Sequence, residues 1–263
     1  MLCPAHGKTG RATPPEYQGL QKRPVSDRST GIDSMSAPLG KPSIAAVVPL
    51  RGGSKSIPGK NIKPFCGKPL CAWTLRALLD CELIQRVFVS TDSEEIATIV
   101  RSIDARILVH PRPAHLAADN STTEEAIYDL IASCDITEKY LITAQVTSPQ
   151  TTRHDVSQAI SQLMASNADS LVTCVRTRRF FWHDDGTPIN YDPARRPLRQ
   201  QWDGTLMENG AFYISAVDRL RGGSARLHGK VAVYEMDESA SIELDELSDW
   251  ETLEAAFRRN IAR

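Results

Sequence analysis

The sequence has no apolar run approaching the ~20 residues that a helix needs to cross a bilayer, which excludes a helical membrane protein. Neither sign of charge is in surplus. The 31 basic and 32 acidic residues leave no electrostatic footprint for nucleic acid or a membrane surface, so neither partner is expected. Six cysteines (Cys3, Cys66, Cys71, Cys81, Cys134, Cys174) form no C-x-x-C pair. That argues against a zinc site or a disulfide frame, and for reduced thiols in a cytoplasmic protein. There is no G-x-G-x-x-G, so the dinucleotide fingerprint is missing. No internal repeat is present, and none of the six histidines stands out as a general base.

What is present falls into two materials. Residues 1–43 are rich in Pro, Gly, Ser and charge and show no helical or strand period, the composition of a disordered tail. This stretch lacks the apolar core of a signal peptide, and Glu16, Asp27 and Asp33 interrupt the basic character of a transit peptide. Met35 stands just before the ordered pattern and is a candidate start. Residues 44–263 are long enough for one α/β domain with a full core.

Within that domain, short Val/Ile/Leu-rich runs alternate with helical patterns. "IAAVVPL" (44–50), "RVFVS" (86–90), "ARILVH" (105–110), "YLITAQ" (140–145) and "SLVTCV" (170–175) read as strands covered on both faces. Between them, residues 69–81, 92–102, 121–134 and 151–166 repeat apolar positions at three and four, with Asp92, Ser121 and Thr152 as expected N-caps. The alternation predicts an open, mostly parallel sheet with helices on both faces, and ligands outside the carboxyl ends of its strands. From residue 176 to 208 the chain turns polar, aromatic and arginine-rich, and a small β-rich excursion is expected there. "AFYIS" (211–215), "KVAVYEM" (230–236) and a helix near 248–261 resume the fold.

The first strand exits into "RGGSKSIPGKN" (51–61), where backbone amides and cations could converge on a phosphate. It is not a Walker A loop: five residues separate Gly53 from Gly59, Asn61 replaces the metal-binding hydroxyl, and Pro58 removes an amide. By itself the stretch is equally consistent with a solvated turn.

Taken with "VSTDSEEIA", "HPRPAHLAADNSTTEEAI", "AQVTSPQTTRHDV", "ENGAFYIS" and "SIELDELSDWETLEAA", in that order, it resembles the N-acylneuraminate cytidylyltransferases over about residues 43–258. The resemblance implies a nucleotide-diphospho-sugar transferase type of fold. It also implies transfer of CMP from CTP to a nonulosonate with release of pyrophosphate, a magnesium cofactor with manganese as the alternative, and a homodimer built through residues 176–208.

It assigns Arg51, Gly52, Gly53, Ser54, Lys55 and Lys60 to the triphosphate, with Arg51 and Lys60 also catalytic. Asn61 and Arg112 would lie at the nucleotide, and Thr123 at its base or ribose. Gln145, Arg199, Asn209 and Tyr213 are implied for the sugar acid. Glu243 and Asp245 fall on the two metal positions, with Asp245 also counted as catalytic. Ser90, Thr91 and Asp92 read first as cap residues and second as site residues, and Asp119 as a loop or cap residue. Three features depart from the family pattern: Glu243 stands for the usual aspartate, Met207 for an arginine, and "RRFFWH" lacks a lysine. Related activities on legionaminate, pseudaminate or Kdo are the alternatives within the same chemistry. A sugar-nucleotide-binding homologue without catalysis is the alternative outside it.

Overall fold

The computed structural model describes residues 43–261. The expected tail, residues 1–43, lies outside them apart from Ser43, as do Cys3 and Met35. The main sheet has seven strands: β1 (Ile44–Pro49), β4 (Arg86–Thr91), β5 (Ile107–Pro111), β6 (Tyr140–Ala144), β7 (Ser170–Thr177), β8 (Thr205–Ala216) and β9 (Val231–Met236). A two-stranded ribbon, β2 (Pro64–Phe65) and β3 (Lys68–Pro69), stands apart. In space the order is β5-β4-β1-β6-β8-β7-β9. The pairs β5–β4, β4–β1, β1–β6 and β7–β9 are parallel, and β8 alone runs against its neighbours.

Alternation along β1 explains the two layers. Ile44, Ala46 and Val48 face one core, which also takes apolar residues of α1 (Leu70–Leu79), α2 (Glu94–Ile103), α4 (Arg153–Ser166) and α6 (Leu247–Ile261). Ala45 and Val47 face the other, closed by α3 (Thr123–Ser133) and α5 (Val217–Arg221). Each of these five β1 residues is no more than 1% exposed, which is why the strand reads as an unbroken apolar run.

Helix starts differ slightly from expectation. Ser93, not Asp92, caps α2, and Thr122, not Ser121, caps α3. In each case two cap-competent residues are adjacent, and the second one accepts the amide hydrogen bond. Thr152 caps α4 as expected, in a capping box with Asp155.

The excursion is not β-rich. Strands β7 and β8 extend into its two ends, but between them lie one isolated bridge (Trp182–Pro188) and a 3-10 turn, Pro193–Arg195. Its order comes from rings instead: Phe180 stacks on Trp202 with centroids 4.5 Å apart and meets Tyr191 at 4.1 Å, while Arg196 lies over Phe180 at 4.5 Å. Successive prolines and Asp-Gly turns leave no run long enough to pair.

The chain runs from β1 outward to β4 and β5, then returns to β6 on the opposite side of β1. Such a reversal opens a crevice beyond the carboxyl ends of the strands. Arg51 follows β1, Arg112 follows β5 and Gln145 follows β6, so three distant segments meet at that crevice.

Candidate active site

At this point in the fold lies a cavity of about 460 Å³. It gathers Arg51, Ser54, Lys55, Lys60, Asn61, Arg112, Thr123, Gln145 and Asp245 from the expected site residues. Four of the nine are cations. In water such like charges would repel, and within the chain they are held by oxygen partners. Arg51 Nη1 lies 3.2 Å and Lys55 Nζ 2.6 Å from the two carboxylate oxygens of Asp119. Both cations hold the Asp119 carboxyl below its usual range, Lys55 through the larger effect. Lys60 Nζ donates to the carbonyl of Leu244 at 2.9 Å and stands 3.7 Å from Asp245. Arg112 is buried against the end of β4, where Nη2 donates to the Ser90 carbonyl at 2.7 Å.

The loop itself is shaped by its polar residues. Asn61 is buried, and its side-chain amide donates to the Arg51 carbonyl at 2.9 Å, closing residues 51–61 on themselves. The Gly52 N–H, expected to face phosphate, instead donates to Asp92 Oδ1 at 2.8 Å. This corrects that expectation: the Gly52 amide ties the loop to the end of β4. A Cβ on Gly52 would lie 3.1 Å from Ser93 Cβ, tighter than an ordinary contact, so a larger residue would push the loop and the start of α2 apart by a few tenths of an ångström. Gly53 follows in the exposed loop, with open space around it.

Three of the residues expected at the sugar lie elsewhere. Arg199 lines a separate cavity of about 690 Å³ within the excursion, beside Phe180, Trp182, Tyr191 and Trp202. Asn209 is buried and donates to the Ala240 carbonyl at 3.1 Å and to Met236 Sδ at 3.3 Å, which joins β8 to the 3-10 turn Glu238–Ser241. Tyr213 is buried under Arg226, 4.4 Å from its ring, and its hydroxyl donates to Glu208. Burial first, and Glu208 second, push the Tyr213 hydroxyl far above its ordinary range, so it stays protonated. None of the three lines the first cavity.

The acidic segment is extended, with Leu244 buried between Glu243 and Asp245. Burial raises the Glu243 pKa; Asp245 and then Glu208 raise it further, and Lys60 opposes them. The carboxylate presses on Gly210, where an added Cβ would lie 2.8 Å from Oε1. Among the described residues no group of three or more His, Cys, Asp or Glu is placed to hold a metal ion. The acidic segment offers two carboxylates, the hard-oxygen type that magnesium takes together with substrate phosphate, and of the two Asp245 lines the first cavity while Glu243 does not.

Asp119 and Glu208 enter the electrostatics of the site although sequence reading gave them no such part, and Asp92, read as a cap first and a site residue second, enters it too. Asp119 and Asp92 lie inside the quoted motifs, but their partners are 40 or more residues away. Pairing at that range leaves no local signal.

The α/β backbone superposes on solved structures of low sequence identity. It superposes on CMP:2-keto-3-deoxy-manno-octonic acid synthetase complexed with CTP with a TM-score of 0.66 at 15% identity, covering 83% of this chain and 99% of that one. It superposes on the 4-diphosphocytidyl-2C-methyl-D-erythritol synthase of Anaerococcus prevotii at 0.60 and 12% identity, covering 83% and 97%. Residues 45–256 match the cytidylyltransferase family model, and the chain belongs to that family. It is 33% identical to N-acylneuraminate cytidylyltransferase A of Danio rerio across 90% of this chain and 56% of the relative. With form B of the same fish it shares 36% identity across 82% and 51%. The chain thus spans about half the length of the curated relatives it matches.

Proposed function

We propose that the protein transfers CMP from CTP to the anomeric hydroxyl of a nonulosonate such as N-acetylneuraminate, releasing pyrophosphate. The observation that carries this reading is the convergence of Arg51, Lys55, Lys60 and Arg112 with Asp245 in one cavity at the carboxyl end of the sheet. An anion of high charge is the ligand that such a set stabilises. In this reading the triphosphate displaces Asp119 from Arg51 and Lys55, and Lys60 meets charge developing on the leaving pyrophosphate. Thr123, at the first turn of α3, would take the base or ribose, and Gln145 the sugar acid. Glu243 and Asp245 would hold magnesium, or manganese. The ion would neutralise charge on the leaving group and fix the phosphate geometry. The chain's own part is alignment: a fixed loop, tied by Asn61 and Asp92, holds the α-phosphorus in line with the attacking oxygen.

A homodimer through residues 176–208 belongs to the same proposal. Trp182, Ile189 and Leu198 are about half exposed or more, an apolar surface that a second copy could cover. In such a dimer Arg199 would reach the sugar acid only across the interface. No helix among the described residues is long and apolar enough to cross a membrane. The free thiols Cys66, Cys71, Cys81, Cys134 and Cys174 support a cytoplasmic setting. A match of 37% identity over 120 residues to CMP-N,N'-diacetyllegionaminic acid synthase of Legionella pneumophila makes legionaminate the second substrate to try. The test is isotopic. N-acetylneuraminate carrying oxygen-18 at its C2 hydroxyl should give a CMP-linked product that retains the label. Label loss, or no CMP-linked product, would contradict the reading.

A further inference from the structure

A buried line of polar groups behind the cavity reaches it through Arg112. Ser90 and His110 are register partners on the parallel strands β4 and β5, and both side chains are buried. His110 Nδ1 lies 3.1 Å from Ser90 Oγ, and Nε2 lies 3.3 Å from Asp129 Oδ2 on α3. On the other side of the same hydroxyl, Arg112 Nε donates to Ser90 Oγ at 3.1 Å. The Arg112 backbone N–H is also fixed, donating to the Thr91 carbonyl at 2.8 Å.

Counting donors assigns the protons. An arginine can only donate, so Ser90 Oγ accepts from Arg112. The serine has one proton of its own to give, and His110 Nδ1 is in reach to accept it. That leaves the ring proton on Nε2, 3.3 Å from Asp129 Oδ2, a buried oxygen with no hydrogen-bond partner among the described residues. One neutral tautomer suits Arg112, Ser90 and Nδ1, and it turns the Nε2 proton towards that oxygen.

We propose that His110, oriented by Asp129, is a positioning residue that fixes the Ser90 hydroxyl as an acceptor and so aims the Arg112 guanidinium into the nucleotide cavity. Protonating Nδ1 would turn the acceptor into a donor, leave the serine proton without a partner, and add a positive charge beside Arg112. The groups facing this ring are Asp129 from α3 and Arg112 beyond β5, with Arg51 and Asp92 behind Arg112. Burial lowers the His110 pKa, Asp129 opposes the shift, and Arg112 adds to it. The neutral form therefore persists below the usual histidine range, and the line fails only on the acid side. Neither His110 nor Asp129 lines the cavity, so neither touches substrate.

The inference rests on Arg112 serving the nucleotide, and the experiment separates the two claims. CTP affinity is measured by titration calorimetry for the wild type, His110→Ala, Arg112→Ala and the double variant. Thermal melts verify folding, and His110→Asn keeps an acceptor near the place of Nδ1. His110→Ala should weaken CTP about tenfold, the scale of one charge-assisted hydrogen bond, and raise KM more than it lowers kcat. Once Arg112 is alanine it should have no further effect. His110→Asn should recover affinity and remove the acid limb of the kcat/KM profile. Equal losses from His110→Ala in both backgrounds would overturn the proposal. A second arm needs no nucleotide: nitrogen-15 NMR of the imidazole should show the Nε2–H tautomer at neutral pH, and an Nδ1–H tautomer would overturn the relay. A wild type that shows the Nε2–H tautomer yet binds no CTP would count for the relay and against the nucleotide reading alone.

Discussion

Lys60 Nζ donates to the carbonyl oxygen of Leu244 at 2.9 Å, across 184 residues of sequence. The same ammonium stands 3.7 Å from Asp245 Oδ1. One side chain therefore ties the cationic loop after β1 to the acidic segment before α6, and the two halves of the candidate site are set relative to each other by it. A cation that bridges in this way serves the fold as well as the ligand.

Lys60→Ala should lower turnover by about 10²–10³, the usual effect of removing one well-placed donor from a transition state. Because the Lys60 side chain is only 13% exposed, stability should fall as well, by roughly 1 kcal/mol for the lost hydrogen bond. Steady-state kinetics and thermal melts on the same preparation separate the two effects. Turnover near the wild-type value would remove Lys60 from the proposed chemistry.

Glu243 gives a pH prediction. Its pKa is raised from an ordinary 4.5, mainly by burial. A raised carboxyl contributes stability that is fully present below that ordinary value and is lost as pH rises through the folded pKa. Glu243→Gln should therefore melt higher than the wild type at neutral pH in chelator, and this advantage should vanish on acidification below 4.5. Adding magnesium with pyrophosphate should raise the melting point of the wild type and leave that of the variant nearly still. A variant that melts lower than the wild type throughout would show that the carboxylate is not strained.

Gly210 shares that strain. Its φ is +62°, and a Cβ there would meet Glu243 Oε1 at 2.8 Å. Gly210→Ala should cost roughly 1 kcal/mol or more from the backbone alone. The contact predicts non-additivity: with Glu243 shortened to alanine, the same change should cost less. A double-mutant cycle on melting temperatures checks it.

Asp119 pairs with both Arg51 and Lys55 at the cavity and offsets one of their two charges. Asp119→Asn should bind CTP and inorganic pyrophosphate several-fold more tightly, with a steeper dependence on salt. Weaker binding would mean that the carboxylate orients the two cations for the ligand rather than competing with it.

The sheet was legible because parallel strands covered on both faces, such as Ile44–Pro49, must be continuously apolar. The cationic loop was legible because its residues are local, and five of them, Arg51, Ser54, Lys55, Lys60 and Asn61, do meet in one cavity with Arg112, Thr123, Gln145 and Asp245. What stayed hidden depends on partners distant in sequence: Asp92 on the Gly52 amide, Asp119 on Arg51, Asp129 on His110. Asn209 and Tyr213 were read as sugar contacts from the family resemblance of "ENGAFY", yet both are turned to partners inside the fold. The excursion misled for a different reason: aromatic rings in a turn-rich segment can order a loop by stacking on one another, with no strands.

The central claim is tested most directly by pyrophosphate release, measured with CTP, UTP, GTP and ATP each crossed with a panel of nonulosonates. Release should require both CTP and a nonulosonate, with N-acetylneuraminate or a legionaminate the best acceptor, and should be lost in Lys60→Ala. Release from CTP without any sugar acid, equal release from all four nucleotides, or none with any pair, would contradict it.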